Sequence, residues 1–291
     1  MTENTIETLG KFDQAIKQKR LNWVLFVVCI NILLFGAIFA VDWTVVLYDW
    51  FNTGPIDFFP KPWDFEQTFF TGFAKAINSV LCLVIVLLVV DSRIDKKDWF
   101  LIFFAFLFIV PTDVIMRIID LSKNLTPSSN IFMVGGVTSI LAHFVLFFRH
   151  GRGFPYWRKN KRAELPKKNW FQILWLPVVI FGSAAVAMGI LWKYMVQIDH
   201  HIIGPAYTFF FCMNTWVAWE TVRYNLYPKR NAIFAAIGVT LWYLTEIVGE
   251  IFNVQSVLPS PIPSVIAFQF IWMVYGPGIL LIALSGIKYK K

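Results

Sequence analysis

The sequence predicts an all-α, polytopic membrane bundle of about eight transmembrane helices. Three observations carry that expectation: an apolar composition, a succession of runs each near the length that crosses a bilayer, and basic residues gathered on one side of those runs. Of 291 residues, 57% are hydrophobic and 15% are charged, and the mean hydropathy is +0.61. That balance belongs in lipid rather than in water. No polar linker is much longer than about 20 residues, so residues 1–291 are expected to form a single transmembrane domain.

A spanning helix needs roughly 20 mostly apolar residues. Runs of that kind lie near 21–41, 72–90, 99–119, 131–148, 170–192, 203–222, 232–253 and 264–287. Residues 1–20 are polar and mixed in charge, and the first run has no small-residue cleavage signal after it, so it is expected to stay as a helix. Segment 42–71 carries Asp49, Asp57, Asp64 and Glu66 among Trp and Phe. It reads as an outer loop lying at the interface, partly covering an entrance.

Lys and Arg outside the runs number 4 in the N-terminal tail, 3 in 91–98, 8 in 149–169, 3 in 223–231 and 3 in the C-terminal tail. The opposite loops hold only Lys61, Lys123 and Lys193. A split of 21 to 3 predicts that the basic side, with both termini, is cytoplasmic. The same split accounts for the net charge of +8 without nucleic acid as a partner. The run from Arg149 to Lys168 reads first as a positive-inside anchor and second as a lipid-headgroup contact.

Cys29, Cys82 and Cys212 fall inside apolar runs without CxxC spacing and read as small core residues. A charge at the bilayer centre costs on the order of 3 kcal/mol, so each one within a run needs a partner or a purpose. The set is Lys75, Asp113, Arg117, Glu246 and Glu250, with His143 as a titratable companion. Asp42 and Glu220 lie near helix ends, where water is expected to reach them.

Runs 3 and 7 both point outward, and Asp113 and Glu246 each lie roughly 20 Å beyond the cytoplasmic edge at 1.5 Å per residue. They are therefore expected at one level. Lys75 enters from the outer side and His143 lies nearer the midplane, so these groups can meet in a pocket in the outer half of the bundle. Thr112-Asp113-Val114 and Thr245-Glu246-Ile247 are alike and stand four runs apart. That displacement preserves direction and points to a parallel four-plus-four repeat.

Plainer readings stand beside these. Asp113 and Arg117 are spaced to neutralise each other across one turn, Glu250 reads equally as a helix-end group, and Lys75 can simply extend to the interface. His143 reads as either a satisfied core histidine or a catalytic one. His200-His201 has no ligand spacing and is expected to carry no role.

Taken in order, the polar motifs resemble those of the YhhN-like lysoplasmalogenase family of eight-span membrane enzymes. The likeness rests on Ala74-Lys75-Ala76 in run 2, Thr112-Asp113-Val114-Ile115-Met116 in run 3, and Phe132, Gly135, Gly136 and Leu141-Ala142-His143-Phe144 in run 4. It continues with Tyr207 and Met213 in run 6, Thr245-Glu246 in run 7, and Tyr275 followed by Leu281-Ile282-Ala283-Leu284-Ser285 in run 8. The chain departs from the family pattern in having Thr112 for Gly, Ala76 for Pro and Glu246 for Asp.

The resemblance implies hydrolysis of the vinyl ether bond of lysoplasmalogens to a fatty aldehyde and a glycerophospho-head-group. The substrate is then a lysophospholipid drawn from membrane lipid, and neither metal nor organic cofactor is required. A vinyl ether opens by protonation of its outer alkene carbon, which needs an acid and a negative neighbour. Glu246, with no adjacent cation on its helix, is assigned the acid role, and Asp113, near Arg117 or Lys75, the ionised one. His143, Tyr207, Lys75 and Tyr275 position water or substrate. The competing reading is a non-enzymatic transporter or lipid-binding bundle, which the repeat would suit.

Overall fold

The computed structural model describes residues 3–53, 65–121, 130–152, 170–253 and 264–289, with side chains over 18–41, 43–44, 76–115, 133–152, 171, 173–251 and 270–289. Eight α-helices follow one another: α1 (Glu3–Thr53), α2 (Phe65–Leu88), α3 (Lys96–Leu121), α4 (Asn130–Gly151), α5 (Trp170–Gln197), α6 (Ile203–Arg223), α7 (Lys229–Asn253) and α8 (Ser264–Leu284). A single 3-10 turn, Val89–Asp91, extends α2. No strand occurs among the described residues, and one isolated bridge joins Arg93 to Ile287.

Hydropathy and helix length part company in α1. It is 51 residues long, although the apolar run that marks it covers only 21–41. The helix therefore takes in the segment expected as a polar tail and the first part of the segment expected as an outer loop. The cause is local: no proline precedes Pro55 and only Gly10 and Gly36 interrupt the run, so nothing breaks the hydrogen-bond ladder before Thr53-Gly54-Pro55. The remainder of that expected loop, 54–64, lies outside the described residues.

Among the described residues, five helical segments are long and apolar enough to cross a membrane: Gln18–Val41, Lys96–Ile115, Met133–Gly151, Ile173–Gln197 and Lys229–Ile251. Ala76–Asp91 and Phe270–Leu284 are shorter apolar stretches. The inward face of α6 carries Asn214, Thr215, Glu220 and Thr221, all buried, which lowers its hydropathy. In a bundle core such groups are tolerated because other helices, not lipid, surround them.

Helix contacts run from α2 to α3, α4, α6, α7 and α8 and back to α2, closing a ring of six. α1 packs outside on α2 and α8, and α5 outside on α6 with lesser contact to α7. The most extensive pairings are α3 with α4 and α7 with α8. In the latter the backbones nearly touch: a Cβ on Gly238 would lie 2.7 Å from the Gly278 carbonyl oxygen. Glycine at both crossing points permits this approach, the usual way two helices pack in lipid.

The core of the ring is apolar over one half of its length, with Ile85, Ile102, Phe106, Ile109, Leu146, Ile279 and Ile282 fully buried. Large apolar side chains such as Leu33, Val178, Val186 and Ile190 face outward, as expected where lipid replaces water. Cys82 and Cys212 are buried as their positions predict, whereas Cys29 faces out. α1 is pinned to α2 by two buried amides, Asn31 Nδ2 donating to the Asn78 carbonyl (3.2 Å) and Asn78 Nδ2 donating to Asn31 Oδ1 (3.3 Å).

Candidate functional site

Two buried polar clusters occupy the ring at different heights. The first, near the N-terminus of α3 and the C-terminus of α4, is built on an ion pair. Asp98 and Arg149 are 0% and 1% exposed and form a fork, Nε to Oδ1 and Nη2 to Oδ2, both at 3.0 Å. Arg149 Nη1 also donates to Ser285 Oγ (2.7 Å) and faces His150 Nε2 (3.5 Å), while Nη2 donates to the Ser285 carbonyl (3.2 Å). Arg149 is thus no lipid-facing anchor, because its helix turns it inward onto Asp98 of α3.

Neighbours complete that cluster. The Tyr227 hydroxyl donates to the Arg149 carbonyl (2.6 Å), and Asn231 Nδ2 donates to the Ser285 and Ile287 carbonyls. Burial, with Asp98 nearby, raises the Tyr227 phenol above its ordinary value. At the rim, Asp95 accepts two hydrogen bonds from Arg152. Partial burial opposes ionisation of Asp95, but these bonds and the guanidinium charge outweigh it and lower its pKa. Glu220, expected at a wetted end, is instead 2% exposed and paired with Arg223 one turn on.

The second cluster lies deeper along the outward-running helices. Asp113 on α3, 5% exposed, accepts from the Ser79 hydroxyl of α2 and from the Tyr275 hydroxyl of α8 (2.6 Å). Two O–H dipoles aimed at one carboxylate are the arrangement that solvates a buried anion. Glu246 on α7 accepts from Trp242 Nε1 (3.1 Å) one turn earlier, and the Tyr207 hydroxyl of α6 is its near neighbour. Tyr207 also shares a 2.6 Å hydrogen bond with Ser139 of α4. Asp113 and Glu246 act on each other electrostatically, as do Tyr275 and Glu246.

His143 sits between these clusters, fully buried. Its ring packs on Phe211 (centroids 3.5 Å apart) and Trp242 (3.9 Å), with Tyr207 at its edge (6.3 Å). Nδ1 meets Asn214 Nδ2 at 3.0 Å. Nε2 has no hydrogen-bond partner among the described residues, and a buried polar atom left so costs about 1–3 kcal/mol. That cost is offset only when something fills the place.

A narrow cleft opens between α5, α6 and α7. Tyr207, Phe211, Tyr243, Glu246 and Glu250 line one side and Ala184, Met188 and Leu191 the other. Glu250 is not merely a helix-end group: its Oε1 meets His200 Nδ1 at 3.3 Å, and His200 is 2% exposed. Of the pair His200-His201, expected to have no role, His200 therefore contacts a carboxyl group that lines this cleft.

No family model, curated protein or solved structure matches this chain.

The structure thus brings Asp113, Glu246, His143, Tyr207 and Tyr275 into one neighbourhood and sets Glu250 on the adjoining cleft. The side chains of Lys75 and Arg117 lie outside the described residues. Sequence reasoning passed over Ser79, Ser139, Asn214, Trp242 and the Asp98–Arg149 pair. Asn214 had a legible signal, an amide in the middle of an apolar run, which is as much in need of a partner as a charge. Two serines and a tryptophan carry no such signal, because they are ordinary in membrane helices. Among the described residues no group of three His, Cys, Asp or Glu side chains is placed to hold a metal ion.

Proposed function

We propose that this chain is an integral membrane hydrolase that opens the vinyl ether bond of lysoplasmalogens, releasing fatty aldehyde and a glycerophospho-head-group. In this reading eight helices span the bilayer, with both termini cytoplasmic as the basic loops direct. The observation that carries it is the meeting of two carboxylates and two phenols from four different helices beside a cleft with apolar walls. Burying two acids in one bundle is expensive, and hydrolysis by acid and base gives each a task.

Glu246, on the cleft, delivers its proton to the outer alkene carbon, and the electron pair of the double bond forms the new C–H bond. Positive charge then lies across the inner carbon and the ether oxygen. Asp113, solvated by Ser79 and Tyr275, stabilises that charge and takes a proton from water as the water oxygen bonds to the inner carbon. The hemiacetal collapses as its hydroxyl proton passes to the Glu246 carboxylate, the carbon–ether oxygen bond breaks, and the leaving oxygen takes the proton held by Asp113, giving aldehyde and a free glycerol hydroxyl. One water is consumed and both carboxyl groups return to their starting states.

The decisive experiment is incubation of purified protein with lysoplasmenyl-ethanolamine and measurement of free aldehyde, for wild type, Asp113→Asn and Glu246→Gln. Loss of a general acid or base lowers the rate by about 10²–10⁴-fold. Activity that survives in both variants overturns the two-carboxylate mechanism, and a wild type inactive on choline and ethanolamine substrates alike overturns the hydrolase.

One observation favours a second reading, a transporter or lipid-binding bundle. Moving each helix four places along the chain maps the main contacts onto one another: α1–α2 onto α5–α6, α2–α3 onto α6–α7, α3–α4 onto α7–α8, and α4–α6 onto α8–α2. This supports a parallel four-plus-four repeat, an architecture common among transporters. Uptake by proteoliposomes without aldehyde release would select it.

A further inference from the structure

The two histidines of α4, His143 and His150, are seven residues apart and both fully buried. They are joined through one amide: His150 Nδ1 lies 2.9 Å from Asn214 Oδ1, and Asn214 Nδ2 lies 3.0 Å from His143 Nδ1. The far end of the chain is Arg149, whose Nη1 faces His150 Nε2 at 3.5 Å. These contacts connect the Asp98–Arg149 ion pair to the carboxylate centre about 10 Å further along α4, at 1.5 Å per residue.

Each link has a sense, and arginine sets it. A guanidinium only donates, so the His150 Nε2 that faces it must be the bare, accepting nitrogen. The proton of neutral His150 is then on Nδ1 and donates to the Asn214 carbonyl oxygen. That leaves the Asn214 NH₂ turned to His143, and an NH₂ also only donates, so His143 Nδ1 accepts. The remaining proton of His143 is on Nε2, where this hydrogen-bonded series ends and which has no partner among the described residues.

We infer that Arg149, acting through His150 and Asn214, holds His143 as the Nε2–H tautomer, and that this N–H is a fixed donor to an oxygen atom of the bound ligand. Asn214 and Arg149 are positioning residues, and His143 makes the contact. Asp98 and Ser285 hold the guanidinium in place from the other side. The atom it awaits is an uncharged acceptor of hydroxyl, ether or water type. On the hydrolase reading above, on which only this last assignment rests, the acceptor is the glycerol oxygen released when the hemiacetal collapses.

The chain has four histidines, so ¹⁵N-histidine labelling of the full-length protein in lipid bilayers gives a spectrum that single His→Gln variants can assign. Wild-type His143 is expected as a neutral ring protonated at Nε2. A ring protonated at Nδ1, or at both nitrogens near neutral pH, overturns the inference without any variant. In Asn214→Asp a carboxylate replaces the donor, and the proton is expected to move to Nδ1 of His143. An unchanged Nε2–H signal there shows that Asn214 does not set the tautomer.

In the hydrolysis assay the same variant is expected to lose at least tenfold in kcat with KM changed less than twofold. Full kcat with a moved proton overturns the role in catalysis, leaving the tautomer assignment intact. Absence of wild-type hydrolysis rejects the hydrolase and again leaves the spectroscopic result standing.

Discussion

The two buried clusters of this protein differ in one respect that separates structure from function. At one end of the ring, all five guanidinium donors of Arg149 are directed at acceptors, two on Asp98, two on Ser285 and one on His150. At the other level, Asp113 accepts from the Ser79 and Tyr275 hydroxyls, and Glu246 accepts from Trp242 Nε1 and also lines a cleft. A fork between two buried charges ties helices together. A buried acid on a cleft is placed to meet what enters it.

The comparison can be broken by measuring rate and stability in each cluster. The largest effect is expected in the Asp113–Glu246 cluster on rate: Glu246→Gln lowers aldehyde release by about 10²–10⁴-fold while the unfolding midpoint in mild detergent stays close to wild type. A large loss of stability instead would make Glu246 another structural group.

The Asp98–Arg149 cluster should show a larger effect on stability. Arg149→Met leaves Asp98 buried without its partner and costs about 3–5 kcal/mol, read by thermal or denaturant unfolding. Replacing both, Asp98→Leu with Arg149→Met, should recover most of that loss, because an apolar pair of similar volume needs no neutralisation. A double variant as unstable as the single one would mean that the pair does more than neutralise itself.

The α7–α8 contact holds Tyr275 of α8 against Trp242 of α7, with ring centroids 5.9 Å apart. Gly238→Val drives a side chain into the Gly278 carbonyl and is expected to cost about 1–3 kcal/mol and to lower activity more than stability alone accounts for. Away from both clusters, Asn31→Leu removes the amide pair between α1 and α2 at a cost of about 0.6–2 kcal/mol, with turnover unchanged, since α1 lies outside the ring.

The smallest effect concerns pH. The pKa of Asp95 is lowered in the folded protein, so its bonds to Arg152 contribute stability above the ordinary aspartate range and lose it as pH falls through the lowered value. The stability difference between wild type and Asp95→Asn should therefore be constant near neutral pH and vanish in acid. A difference that grew on acidification would contradict the sign.

Much of the architecture was legible from residue type and order. The apolar runs mark seven of the eight helices to within a few residues at one end, because a run that suits lipid must satisfy its backbone internally as helix, even across Pro111, Pro177 and Pro277. α1 is the exception: no proline precedes Pro55, so its helix continues into polar sequence where hydropathy has already stopped. Asp113, Glu246 and His143 stood out because a polar group in an apolar run must be compensated.

What the sequence by itself determined, then, is that this is an all-helical chain with membrane-spanning segments and a few polar groups in costly places. Only the tertiary structure decided which of those groups meet. Arg149 reads as a surface anchor until helix packing turns it onto Asp98, and Ser79, Asn214 and Trp242 acquire partners only through contacts between helices. The physical reason is range. Hydropathy and helix propensity act over a few neighbouring residues and leave their mark in local sequence, whereas the pairing of a buried donor with its acceptor depends on how helices far apart in the chain are rotated against each other.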